Sequence, residues 1–329
     1  MTHATTHPIP TADKIIEVTV KAIALSRYGG ADDLELTDQP TPAVAPGEFL
    51  VRVKAAGVNP GDEKIAAGTL DGIMVTHFPL IPGFEMSGVV EARGFGATEF
   101  EIGDEVIGFV VKDWAQNGTY AGLVSAPART LARKPASLDW LHAACLPLNG
   151  LTAYQAIKRI GIGEGDTVLI HGAAGGVGTL AVQIAATRGA HVIGTAGQRN
   201  HDYLRELGAT PITYGEGLAE RVRELAPEGV DAALDFYGGD AVAVSRKVVK
   251  DPARVASVAD ITAPEQGGQL VWARPNADEL TEVAALAEAG KLSVPVHRSF
   301  PLEQAADAWR MLHADSRPRG RIVLDIDAT

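Results

Sequence analysis

The stretch Asp166-Thr-Val-Leu-Ile-His-Gly-Ala-Ala-Gly-Gly-Val-Gly178 constrains the fold more tightly than any other part of the chain. Residues 167–170 form a short apolar, β-branched run behind a Gly-Glu-Gly-Asp turn, the pattern of a buried parallel strand. Beyond it Val177, Ala181, Ile184 and Ala185 recur at helical spacing, so a helix is expected to open near Gly178. Between the two lies Ala173-x-Gly175-x-x-Gly178, a dinucleotide fingerprint whose first glycine is replaced by alanine. Gly175 lets the backbone approach a pyrophosphate, and Gly178 lets the helix pack close on the strand. The helix N-terminus then turns N–H groups and a positive dipole end toward the phosphates. A glycine-rich turn alone would mean little. Strand, fingerprint, helix and a second strand at 191–195 in this order point to nucleotide binding.

Around this unit, strands and helices alternate from about residue 141. Strands are expected at 167–171, 191–195, 211–213, 232–236, 254–258 and 269–272, with helices at 200–207 and 218–225 between them. Such alternation predicts an α/β fold with a doubly wound parallel sheet covered on both faces. The N-terminal part reads differently. Alternating segments at 18–25 and 48–55, separated by a Pro-rich link at 39–47, are followed by short strands near 86–91, 105–111 and 123–126, an antiparallel β pattern with few helices. The tail offers amphipathic helices at 278–289 and 302–313 and a closing strand at 321–325. It is expected to return to the N-terminal β region.

With 329 residues the chain can hold two domains, and a 21% charged content is ordinary for a globular enzyme. A formal net charge of −12 and the lack of a basic cluster argue against a nucleic-acid partner. No apolar run is long enough to cross a bilayer, so no membrane partner is expected. Residues 1–16 lack the apolar core of a signal peptide and are expected to form a flexible arm, with the cytoplasm as the default location. Cys145 is the only cysteine, which excludes an intrachain disulfide and a thiolate cage. It reads as a small core residue.

Further motifs carry a family resemblance. They include Lys21-Ala-Ile with Tyr28-Gly-Gly, Pro46-Gly-Glu-Phe-Leu-Val-Arg-Val, and Ala55-Ala-Gly-Val-Asn-Pro-Gly-Asp62. Pro82-Gly-Phe-Glu-Met-Ser-Gly-Val, Gly103-Asp-Glu-Val, Gly118-Thr-Tyr-Ala121, Leu146-Pro-Leu-Asn-Gly-Leu-Thr-Ala-Tyr154 and Gly320-Arg-Ile-Val-Leu follow in order. The chain resembles the zinc-free, quinone-oxidoreductase-like (zeta-crystallin-like) branch of the medium-chain dehydrogenase/reductases. This implies a GroES-like antiparallel β domain over 17–139 and 278–329, a Rossmann NADP-binding domain over 140–277, an active site in the cleft between them, and a homodimer.

Zinc-dependent members carry a thiolate and an imidazole where Asn59 and Phe84 stand here, and the third metal cysteine has no counterpart near Leu148 and Asn149. The four-cysteine structural loop is missing too, so no metal is expected. Oxidising a simple alcohol needs Lewis acidity or a hydroxyl relay to form the alkoxide. A quinone or α,β-unsaturated carbonyl needs neither, because its own carbonyl draws hydride to the conjugated carbon. The expected activity is therefore hydride transfer from NADPH to an activated double bond or a quinone. A dedicated quinone reductase, or a protein that binds NADPH without turnover, stays open.

The fingerprint scheme places an acid about twenty residues beyond the glycines to grip the ribose of NAD. The second strand here runs into Thr195-Ala-Gly-Gln-Arg199 without one, and Arg199 suits a 2′-phosphate. The expected cofactor site comprises Thr152, Ala173, Gly175, Gly176, Val177, Gly178, Thr195, Arg199, Tyr214, Phe236, Tyr237, Gly238, Ser257, Val258, Val271 and Trp272. The resemblance implies that Thr152 approaches the nicotinamide, that Tyr214 lies on the adenine side and that Phe236 to Gly238 line the ribose. At the reacting end it brings Asn59, Asp62 and Lys64 to face the nicotinamide. Asn59 suits a substrate carbonyl or a cofactor hydroxyl. Lys64 either stabilises an enolate or delivers a proton, with Asp62 orienting it or serving only as a turn acid, or the two form an exposed pair at a loop end. Phe84, Trp114 and Tyr120 are the expected apolar wall for a flat small-molecule substrate.

Overall fold

The structure is a computed structural model that describes residues 19–313 and 319–327. The arm expected over 1–16 and the start of the first strand lie outside these.

The N-terminal region is built on one long strand. In chain order come β1 (Thr19–Ala24), β2 (Glu35–Pro40), β3 (Glu48–Val58), α1 (Pro60–Ala66), β4 (Thr76–Ile81) and β5 (Glu85–Arg93). Then follow β6 (Glu105–Phe109), β7 (Ala115–Asn117), β8 (Leu123–Pro127) and β9 (Leu131–Arg133). Strand β3 is the spine, pairing antiparallel with both β5 and β8. Eleven residues in which Phe49, Val51 and Val53 are fully buried give it an apolar face long enough for several partners. It runs three residues past the expected end, because Ala56, Gly57 and Val58 pair with the closing strand. Strands β2, β4, β7 and β9 were not legible in the sequence, and β2 runs into the expected Pro-rich link at 39–47. Two of them have only three residues, and β4 contains Pro79.

Helices α2 (Trp140–Ala144) and α3 (Pro147–Ile160) lead into the second sheet. Pro147 opens α3 and Gly161, at φ 73°, closes it. The sheet elements follow as β10 (Thr167–His171), α4 (Gly176–Thr187), β11 (His191–Thr195), α5 (His201–Glu206) and β12 (Ala209–Ile212). After them come α6 (Leu218–Leu225), β13 (Ala232–Asp235), α7 (Ala241–Val248), β14 (Val255–Ser257) and β15 (Gln269–Leu270). The strands lie in the order β12-β11-β10-β13-β14-β15, all parallel, which is the doubly wound arrangement with its switch point between β10 and β13. Alternation along β10 shows why both faces need cover. Val168 and Ile170 join the core that runs into the β region, whereas Leu169 belongs to a separate cluster under α6 and α7.

The tail adds α8 (Ala277–Glu288), β16 (Val296–Pro301), α9 (Ala305–Leu312) and β17 (Arg321–Asp325). The helix expected over 302–313 begins instead as a 3₁₀ turn, Leu302–Gln304. Strand β17 inserts between β16 and β3, completing a sheet of seven strands. One GroES-like sheet, antiparallel except for its β16–β17 pair, and one Rossmann sheet thus share a continuous apolar core.

Candidate functional site

The fingerprint forms a tight cradle at the switch point. Helix α4 opens at Gly176 with Gly175 as its N-cap, two residues before the expected start, because Gly175 is already extended (φ −80°, ψ 176°). A Cβ on Gly178 would lie 2.1 Å from the Gly172 carbonyl oxygen, so no side chain fits there. Strand β11 braces the loop: Thr195 Oγ1 accepts from Gly172 N (3.2 Å) and its carbonyl accepts from Ala173 N (3.1 Å). Ala173 is buried and Gly175 exposed. The first turn of α4 has no intrahelical acceptors for its N–H groups. An exposed backbone with such donors suits a pyrophosphate, so the residues present fit a dinucleotide. Facing the cradle is a crevice lined by Gly175, Gly176, Thr179, Val294 and, from β17, Arg321.

Arg321 belongs to a buried polar cluster that four distant segments build. Its Nη2 donates to Glu85 Oε1 (2.5 Å) and Asn59 Oδ1 (2.7 Å). Asn59 Nδ2 donates to Glu85 Oε1 (2.9 Å), Asn149 Nδ2 donates to Asn59 Oδ1 (3.2 Å), and Leu148 N donates to Glu85 Oε2 (2.9 Å). Glu85 is fully buried, and a Cβ on Gly57 would come within 2.4 Å of it, so only glycine leaves it room. Next to this cluster, Asp62 Oδ2 accepts from Asn59 N (2.8 Å) and from the Tyr120 hydroxyl (2.8 Å), which in turn accepts from Trp309 Nε1 (3.2 Å). Asp62 Oδ1 and Arg321 Nε are buried without a hydrogen-bond partner among the described residues. Burial pushes the Asp62 carboxyl up to about 7, with Glu85 adding to the rise while Asn59 N–H, Tyr120 and Arg321 oppose it. Burial likewise pushes the Cys145 thiol up to about 12, as an inert core residue requires.

Several expected site residues face elsewhere. Tyr120 is fully buried and Phe84 is 8% exposed, so in this conformation Tyr120 is core and cannot form a substrate wall. Its ring packs under Gly83 and its hydroxyl is committed to Asp62. Asp62 does not orient Lys64: the carboxyl turns inward to cap α1, and Lys64 is exposed. The Asn59 amide is engaged on both sides by the cluster. Ser257 is buried, donating to Asp235 Oδ2 (2.7 Å) and accepting from Ala259 N and Asp260 N, so it braces a loop and does not offer its hydroxyl to a ligand. Thr152 is 6% exposed with its hydroxyl donated to the Leu148 carbonyl (2.6 Å). Phe236 and Val258 are half-buried, Gly238 and Val271 buried, and Val177 half-buried at the start of α4. Arg199 is exposed on a short turn after β11, and Trp272 is exposed beyond β15. Trp114 is exposed beside β7 with its ring edge-on to His77. Tyr214 and Tyr237 are exposed and face each other.

Glu85, Asn149 and Arg321 are the residues sequence reasoning left unassigned. A lone charge at the head of an apolar strand (Glu85-Met-Ser-Gly-Val, Arg321-Ile-Val-Leu) was the available signal, and the two are of opposite sign. Among the described residues no group of three or more His, Cys, Asp or Glu side chains is placed to hold a metal ion.

Known proteins share this architecture. The zinc-binding dehydrogenase family model matches residues 207–324, and the alcohol dehydrogenase GroES-like domain model matches residues 45–136. The synaptic vesicle membrane protein VAT-1 homolog-like of Mus musculus is 34% identical over 223 residues, 67% of this chain and 52% of its own length. The chain thus spans about half of that relative. The chloroplast envelope quinone oxidoreductase homolog of Arabidopsis thaliana is 28% identical over 324 residues, 92% of this chain and 98% of the relative. Among solved structures, the quinone oxidoreductase from Coxiella burnetii superposes with a TM-score of 0.81 at 33% identity, covering 94% of this chain and 100% of that one.

Proposed function

Because this chain belongs to the medium-chain dehydrogenase/reductase superfamily, we propose that it is a zinc-independent, NADPH-dependent reductase acting on the conjugated carbon of an enone, enal or quinone. The observation that carries this reading is the glycine cradle at the switch point, set against a buried polar cluster of Asn59, Glu85, Asn149 and Arg321, of which Arg321 reaches the crevice beside the cradle. Asn59 and Phe84 are poor metal donors, and the Arg321 guanidinium already brings a positive charge against Asn59 and Glu85. The donor set therefore supports chemistry without a Lewis acid.

NADPH, when bound, supplies the hydride. Gly175 and the first turn of α4 bind the pyrophosphate, and Arg199 pairs with the 2′-phosphate. Thr152, Val258 and Val271 flank the nicotinamide half. Asn59 and Asp62 hold the loop before α1 in place and do not touch the acceptor, so the acceptor's conjugation takes up the charge and water returns the proton. The quinone oxidoreductase descriptions of the Arabidopsis and Coxiella relatives favour a quinone within this acceptor class. A cytoplasmic homodimer belongs to the same proposal, and light scattering on the purified chain checks the assembly.

The test is NADPH consumption by the purified protein over a panel of quinones and enones, with bound metal measured alongside. Turnover on at least one acceptor with substoichiometric metal is expected. Binding without turnover on any acceptor would replace the enzyme with a nucleotide-binding protein. Cofactor choice has its own test. Exchanging Arg199 for Glu should lower the NADPH-over-NADH preference at least about tenfold, the equivalent of one lost charge-assisted bond. An unchanged preference would remove Arg199 from the 2′-phosphate site.

A further inference from the structure

The segment that joins α1 to β5 is apolar on both of its faces. Its side chains alternate from Ile73 to Leu80: Met74, Thr76, Phe78 and Leu80 turn inward, while Ile73, Val75, His77 and Pro79 are exposed. Ile73 is 58% exposed and Val75 61%, and Trp114, just before β7, is 47% exposed. Ala115 N donates to the Val75 carbonyl (2.8 Å), and the Trp114 ring meets His77 edge-on with centroids 5.8 Å apart. Ile73, Val75, His77 and Trp114 therefore share one surface. A β segment with two apolar faces ordinarily has cover on both, and here only the inner face has it.

The segment is held firmly from within. The Tyr28 hydroxyl donates to Asp71 Oδ1 (2.5 Å), the Tyr28 ring packs edge-on to Phe78 at 5.0 Å, and Leu25 N donates to the Leu80 carbonyl (2.8 Å). The outer face is also free of charge. Residues 72–84 and 114–128 contain no Asp, Glu, Lys or Arg, where the chain's 21% charged content would put about six. In a chain of net charge −12, an exposed apolar face of this kind marks an interaction site. A bilayer surface is a poor match, because it calls for a cationic rim. The cations that border the face, Lys112 and Arg129, are paired with Glu48 and Asp113.

Both ends of the segment lead to the candidate site. It leaves α1, whose N-cap is Asn59, and it returns through Phe84 to Glu85, and Asn59 donates directly to Glu85 (2.9 Å). We infer that Ile73, Val75 and Trp114 seat the aliphatic tail of a lipophilic acceptor, so that the substrate is a quinone or enone carrying a prenyl or long alkyl chain. The inference rests on the reductase reading above and adds the substrate class to it. The chemistry at the head is unchanged: hydride from NADPH and a proton from water convert a quinone to its hydroquinone.

The test is steady-state reduction, by the full-length protein with NADPH and no detergent, of one benzoquinone head in four forms: bare, with one or two isoprene units, and with a decyl chain. In the parent, kcat/KM should rise at least about tenfold from the bare head to the two-unit tail, the gain from burying about two methylene groups. The decyl chain should give a gain of the same order. Combining Ile73→Ser with Val75→Ser should bring the tailed-to-bare ratio most of the way back to one, at a parent-like Tm because both positions are exposed. Leu225→Ser, at an exposed apolar position on α6, should keep the parent's ratio. A parent with no gain from either kind of tail, or a double variant that retains the gain, would overturn the tail site and leave a reductase of bare acceptors. A double variant whose assembly state shifts in light scattering would make this face a contact between copies instead. A parent that turns over no acceptor would overturn the reductase reading and the tail site with it.

Discussion

Arg321→Met is expected to destabilise the protein by roughly 3–5 kcal/mol, the cost of removing one partner of a buried ion pair. Glu85 would then remain fully buried with its charge opposed only by hydrogen bonds from Leu148 N, Asn59 and Asn149. The loss measures the stranded charge, not the net worth of the pair. Adding Glu85→Gln to Arg321→Met should therefore recover much of it, since the amide carries no charge and its one oxygen still accepts from Asn59 and Asn149, at the cost of the Leu148 N bond. Urea denaturation of the parent, the single variant and the double variant reads this directly. A single variant within about 1 kcal/mol of the parent would mean that the cluster is hydrated enough to tolerate a free carboxylate.

The second large effect concerns pH. Burial holds the Asp62 carboxyl at about 7 in the folded protein against an ordinary value of 3.8. Below about pH 4 both folded and unfolded chains carry the proton and Asp62 contributes nothing to pH dependence. Between about pH 4 and 7 the unfolded chain has released the proton while the folded one retains it, so stability falls as pH rises. Above pH 7 the full penalty applies, roughly 4 kcal/mol for a displacement of this size. In Asp62→Asn the amide oxygen can still accept from Asn59 N and Tyr120, and no charge can form. Its stability relative to the parent should therefore rise by several kcal/mol from pH 4 to pH 8. Parallel stability curves for the two proteins would show that Asp62 does not titrate in this window.

The strands and helices whose pattern is local were legible in the sequence. Strands β10 and β11, helix α6 and strand β17 begin and end where the apolar runs and glycines place them. Strands β4 and β7 escaped because they are held by each other across nearly forty residues, and no local period marks them. The reacting end misled for a similar reason. A loop reading Asn-Pro-Gly-Asp looks the same whether its side chains turn outward to a ligand or inward to a core. What turns Asn59 inward are partners 26, 90 and 262 positions away, none visible as spacing. Tyr214 and Tyr237 were assigned separately to adenine and ribose; only strand order brings their rings face to face.

The placement of β17 between β16 and β3 also sets an order of assembly. During synthesis the hydrogen-bonding edge of β3 that β17 covers stays open, and Glu85 lacks its counter-charge, until residue 325 has emerged from the ribosome. The parallel sheet, made wholly from later residues, can close first. A nascent chain stalled before Arg321 would therefore display an unpaired strand to chaperones or to its own copies, and quality control would meet the sheet around β3 in its least finished state.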